Sequence, residues 1–107
     1  MIRHCLIIAL LLPAGAALGT DCQPQAGFDL ALAGQAETPP CEGRAYRIDF
    51  ELGRNLRLLQ QERADLVAAL EKADSEDSDR RKLRLQVLER ELQQLEGLAR
   101  IRGLLAP

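Results

Sequence analysis

From Leu52 onward leucines fall at heptad spacing in two runs. The first is Leu52, Leu56, Leu59, Leu66 and Leu70; the second is Leu85, Leu88, Leu92 and Leu95, continued by Ala99. Apolar residues at i, i+3, i+4 and i+7 line one face of an α-helix. The pattern therefore predicts two amphipathic helices, over about 42–73 and 78–104, that bury a narrow seam. Ala45, then Ile48 or Asp49, extend the first face upstream, and Ala73 extends it downstream. Arg63 falls on the seam, where its stem can cover apolar surface while its charge reaches water. Tyr46 and Phe50 flank the face at i, i+4, a pair that meets on a helix surface. Leu58 and Val67 widen the stripe, so this helix has more than one neighbour.

The register breaks at the acidic stretch from Asp74 to Asp79, and the second run starts one residue out of phase. Two readings fit. In a hairpin the stretch is the tip, near 74–78, with Asp77 or Ser78 capping the next helix and Asp79 at the positive end of its dipole. In a continuous helix the shift is a skip in a long coiled coil. The hairpin is preferred. A straight helix from Glu42 to Leu104 would run roughly 90 Å and could bury its seam only by dimerising, whereas a hairpin closes it within one chain. Gly97 and Gly103 weaken the last turns.

Upstream, residues 20–41 form a small-residue segment. Pro24 suits a helix's first turn, and Phe28, Ala31 and Leu32 make one short apolar face that Gly34 weakens. Thr38-Pro39-Pro40 then stops a helix of about three turns. Gly27, Gly34 and Gly53 are small enough to permit close helix contact. Few β-branched or aromatic residues occur, so no strand is expected. The fold class is all-α: a short N-terminal helix stapled by a disulfide, then a long antiparallel, coiled-coil-like helical hairpin over 42–107.

The first nineteen residues carry a different signal. A short basic start at Arg3 and His4, an apolar core from Cys5 to Leu12 and a small-residue end at Ala17-Leu18-Gly19 have the layout of a cleaved secretory leader over 1–19. An uncleaved anchor is the alternative, but Pro13 interrupts an apolar stretch shorter than the ~20 residues that span a bilayer. Export, to a bacterial periplasm or beyond the cell, makes Cys22 and Cys41 an even pair in an oxidising compartment, which reads as one disulfide. Lipid attachment at Cys22 is disfavoured, because Asp21 stands where a small residue is required.

Candidate chemistry is sparse. The single histidine, His4, leaves with the leader, and with it the one group that titrates near neutral pH. Two cysteines do not complete a zinc site, and eighteen intervening residues do not make a redox Cys-x-x-Cys. The acids Asp74, Glu76, Asp77 and Asp79 lack the glycine and terminal glutamate of a calcium loop. Arg80, Arg81, Lys82 and Arg84 form a basic cluster that the adjoining acids largely cancel. With a formal net charge of −2, the chain is not a general nucleic-acid binder. No catalytic, cofactor-binding or metal residues are assigned, and neither a cofactor nor a small-molecule ligand is expected.

The stretch Ala26-Gly27-Phe28-Asp29-Leu30, then Gly34, Cys41, Ala45-Tyr46-Arg47, Phe50, Gly53-Arg54 and the leucine runs resembles the later half of a bacterial family of exported proteins. Its members, often lipoproteins, are defined only as a domain of unknown function. The family's upstream cysteine-rich segment is absent, Ala31 and Asp49 stand where it carries glycines, and its tip proline is missing. The resemblance implies export, a helical hairpin and a disulfide, and no activity. The sequence thus leads to a non-enzymatic envelope protein with a protein partner. The alternative is a self-assembling or membrane-surface structural factor whose second apolar face is Leu58, Val67, Leu83, Leu98, Ile101 and Leu104; membrane contact is not favoured.

Overall fold

The computed structural model describes residues 21–72 and 75–107, without the side chain of Ser75. The expected leader over 1–19, with Cys5 and His4, lies outside the described residues, as do Ala73 and Asp74. Three helices make up the described chain, with no strand among its residues: α1 (Pro24–Leu32), α2 (Arg44–Leu70) and α3 (Ser75–Ile101). No helix among the described residues is long and apolar enough to cross a membrane.

Pro24 opens α1 at its first turn, and the Asp21 carboxylate accepts a hydrogen bond from the Gln23 backbone N–H at 2.9 Å. The helix ends earlier than the proline pair suggests. Gly34 adopts φ +70°, and the N–H groups of Gly34 and Gln35 donate to the carbonyls of Ala31 and Leu30, each at 3.0 Å. This left-handed closure satisfies carbonyls that a helix end otherwise leaves open. Gly34 is thus the stop signal, and not a weak point inside a longer helix. Gly103 plays the same part after α3, at φ +77°, with Leu104 N–H donating to the Ala99 carbonyl at 2.8 Å. The chain turns there instead of fraying, and Leu104 folds back into the core.

Residues 71–74 alone separate α2 from α3. The tip expected near 74–78 is mostly helix: Asp77 and Ser78 lie within the first turns of α3, so neither precedes it as a cap. The acids still favour that end, since carboxylates stabilise the positive pole of a helix, and Asp77 pairs with Arg80 at 2.8 Å.

The main core gathers Phe28 from α1, Leu52 and Leu56 from α2, Leu92 and Ala99 from α3, and Leu104. A second cluster joins Ala31 and Cys41 to Tyr46 and Phe50, whose rings stack with centroids 6.4 Å apart. The Cys22–Cys41 disulfide, whose Cys41 belongs to this second cluster, closes the chain around α1, with Cα atoms 5.6 Å apart. Of the seam residues, Leu52, Leu56, Leu88, Leu92 and Ala99 are buried, whereas Leu59, Leu66, Leu70, Leu85 and Leu95 are half-buried. Among the described residues no side chain between Leu56 and Leu88 is fully buried.

Upstream of Leu52 the burial differs from the leucine pattern. Ala45 and Ile48 are exposed, while Tyr46, Asp49, Phe50 and Gly53 are buried. The cause is α1, which packs on a second face of α2. A Cβ added at Gly53 would overlap the Phe28 carbonyl oxygen and come within 3.2 Å of the Leu32 nitrogen. Gly97, by contrast, has open space where a Cβ would stand. The same substitution should therefore have opposite signs at the two positions. Gly97→Ala should stabilise by about 1 kcal/mol through helix propensity. Gly53→Ala should destabilise by roughly 1–3 kcal/mol, because rigid backbone must shift. Urea denaturation followed by circular dichroism checks both, and a stabilised Gly53→Ala would rule out the tight crossing.

Candidate functional site

The two long helices make an open trough on the side of α2 opposite Gly53, and α1 does not reach it. Successive residues of a helix turn by about 100°, so Phe50 and Gly53 face α1 while Ile48, Asn55 and Leu58 face roughly the other way. One stretch of the trough, about 460 Å³, is lined by Arg44, Arg47, Ile48 and Leu52 of α2 and by Leu95 and Leu98 of α3, with Arg102 at its edge. A second stretch of about 450 Å³ adjoins it at Asn55 and Leu95 and runs on past Leu58 and Gln94. The lining of the first stretch is mainly apolar. Ile48, Leu58 and Leu98 each leave 45% of their surface in water.

One end of the trough is positive. Helix α2 begins at Arg44 with no side-chain cap and no acidic residue in its first turn. Its uncompensated N–H groups and dipole add to the charges of Arg44 and Arg47. Neither arginine makes an ion pair among the described residues. Glu51 also lines this stretch, but it faces Arg54 at 3.6 Å. Arg102 is engaged by Asp49, a carboxylate only 2% exposed. That hydrogen bond and the adjacent charge push the Arg102 guanidinium above its ordinary pKa. A buried acid is held here by a paired cation, as burial of charge requires.

The polar groups elsewhere serve the helices themselves. Arg63 pairs with Glu89 at 3.1 Å, and Arg84 pairs with Glu62 at 2.8 Å. These pairs are half exposed, where such contacts contribute about 0–1 kcal/mol. Arg63 thus keeps its charge in water while spanning two helices. Among the described residues no group of three or more His, Cys, Asp or Glu side chains could hold a metal ion. Leu58, Val67, Leu83, Leu98 and Ile101 of the second apolar face are exposed, Ile101 by 84%. Leu104 is not part of that face; it is buried against Ala99 once Gly103 turns the chain.

The trough has no sequence motif, and its visible sign is Arg44 and Arg47 beside Ile48 at the start of a helix. At Gly27 an added Cβ would stand 2.8 Å from the Tyr46 ring, so the glycine leaves room for that ring. Burial pushes the Tyr46 phenol above its ordinary value of 10.0, and Asp21 adds to the rise. The neutral form is favoured in the fold, so this contribution to stability is complete below about pH 10 and is lost as pH climbs through the folded pKa. Tyr46 is the only tyrosine and tryptophan is absent, so an ultraviolet titration reports it alone. We expect a midpoint above 10.0 in the folded protein, with Tyr46→Phe losing that part of the alkaline destabilisation.

No protein-family model, curated protein or solved structure matches this chain.

Proposed function

We propose that this is an exported, non-enzymatic envelope protein that acts as a helical protein-interaction module. In this reading α2 and α3 form an antiparallel hairpin whose seam closes within one chain. The ion pairs support it: Glu62 and Arg84 would lie roughly 33 Å apart on one straight helix, yet meet at 2.8 Å. Export is supported by the Cys22–Cys41 disulfide, since such bonds persist in oxidising compartments, and by the leader-like first nineteen residues. The same reading extends to membership of the exported leucine-hairpin family that the sequence resembles.

The observation that carries the binding role is the apolar trough left open beside a closed core. Single exposed leucines are ordinary on protein surfaces, but contiguous apolar ground with a charged rim marks an interaction site. Affinity capture from an envelope fraction, with cross-linking, tests the role. The wild type should retain a partner that Leu98→Asp releases, and a protein that captures nothing in either form would refute it. A second reading, self-assembly through the exposed face of α3, is favoured by Leu83, Val87, Leu98 and Ile101, which share one side of that helix. Sedimentation across concentration separates the two.

A further inference from the structure

The partner's chemistry can be narrowed from the trough, an argument that rests on the protein-binding reading above. Two packed helices leave a groove on either side, and a third helix is the natural filler of each. On one side α1 supplies it, setting Phe28 and Leu32 against α2 at Gly53. Among the described residues no helix lies on the other side. From Arg44 to Leu59 it runs about 22 Å along α2, the length of about four helical turns. Its floor is Leu52 and Leu95, its apolar walls are Ile48, Leu58 and Leu98, and its positive end carries Arg44 and Arg47.

We propose that this groove receives an amphipathic helix of another protein. That helix has apolar anchors at i, i+3 or i+4, and i+7, and carries acidic residues at the end that lies over Arg44 and Arg47. Apolar anchors entering a groove are a general mode of helix recognition. The rim charge sets orientation and discriminates against cationic helices, because opposing like charges are costly at an interface.

Charge also decides against a second copy. The free apolar stripe of this chain, Leu83, Val87, Leu98 and Ile101, runs beside Arg90 and beside Arg80, Arg84 and Arg102, which Asp77, Glu62 and Asp49 already hold. Glu91 is the single carboxylate on that side between Arg80 and Arg102. Glu91 itself faces Arg84 at 4.0 Å, so laying this stripe in the groove of a copy would offer Arg44 and Arg47 no unpaired carboxylate.

Two labelled synthetic helical peptides with identical apolar positions, one carrying glutamates at its end and the other lysines, make the test on the full mature chain. By fluorescence anisotropy the acidic peptide should bind at least about tenfold more tightly than the basic one, and the preference should fall with salt. The doubly substituted Arg44→Glu, Arg47→Glu protein should reverse the order. Leu98→Asp should weaken both peptides by about tenfold or more while leaving the thermal transition in place. Equal binding of both peptides, or binding indifferent to Leu98→Asp, overturns the proposal. So does a concentration-dependent dimer that Leu98→Asp dissolves, which would make a second copy the occupant. Flotation with phosphatidylglycerol–phosphatidylcholine vesicles, abolished by the same substitution, would make it lipid. If envelope capture succeeds where the acidic peptide fails, the interaction role stands and this assignment of the partner falls.

Discussion

Phe28→Ala should cost about 3–5 kcal/mol of stability, the range for emptying a buried aromatic site. Phe28 is fully buried and is the member that α1 gives to the main core, which it shares with Leu52 and Leu56 of α2, Leu92 and Ala99 of α3, and Leu104 of the returning C-terminal turn. A helix of nine residues is too short to persist alone in water. Its place therefore depends on that anchor and on the disulfide. Since whole domains are stable by only about 5–15 kcal/mol, the loss should shift the urea midpoint strongly. It should also open residues 20–41 to proteolysis before the long helices melt. Leu32→Ala, at a half-buried site on the same helix, should lose less. A shift in Phe28→Ala equivalent to under about 1 kcal/mol, a surface-like value, would show that α1 is held by something else.

Replacing both Cys22 and Cys41 by serine should lower stability by about 3 kcal/mol, the chain-entropy estimate for closing a loop of nearly this length. The bond spans a separation of 19 residues that contains all of α1. Cys41 is itself buried beside Tyr46 and Phe50, so serine there adds a desolvated hydroxyl. Reduction of the unmodified protein provides the control without that hydroxyl, and it should give the smaller loss. The long helices should keep their circular dichroism signal, because their own seam is untouched. Combining the serine pair with Phe28→Ala should cost less than the sum of the two. Both act by holding α1, and shared work of this kind breaks additivity. A fully additive result would mean that staple and anchor stabilise different parts of the molecule.

The leucine spacing made the long helices legible because seam burial repeats with the helical period. The disulfide was legible from an even pair of cysteines behind a leader-like segment. What stayed hidden has physical causes. Gly34 and Gly103 read as defects, since a glycine's value at a helix end depends on a left-handed φ that composition does not reveal. The start of α3 at Ser75 was masked by acids that suit a loop and a first helical turn equally. Ile48 and Asp49 could not be ranked by periodicity, because the docking of α1 turns part of α2 away from the leucine seam. That choice buried Asp49 against Arg102 and left Ile48 facing the trough. The trough itself had no motif, as it arises from two helices lying side by side with, among the described residues, a filler on one flank only.

The concentration of buried side chains at the disulfide end has a kinetic meaning. With none fully buried between Leu56 and Leu88 among the described residues, the far half of the long helices rests on half-buried leucines and exposed ion pairs. Regions of low contact density open locally, at free energies below that of global unfolding. Amide hydrogens from Leu66 to Leu70 and from Glu76 to Leu85 should thus exchange by local opening, while those around Phe50, Leu52 and Leu92 wait for the whole molecule to unfold. The protein then behaves as a rigid base carrying a breathing arm, and its trough, at the base, keeps its shape while the arm opens and closes.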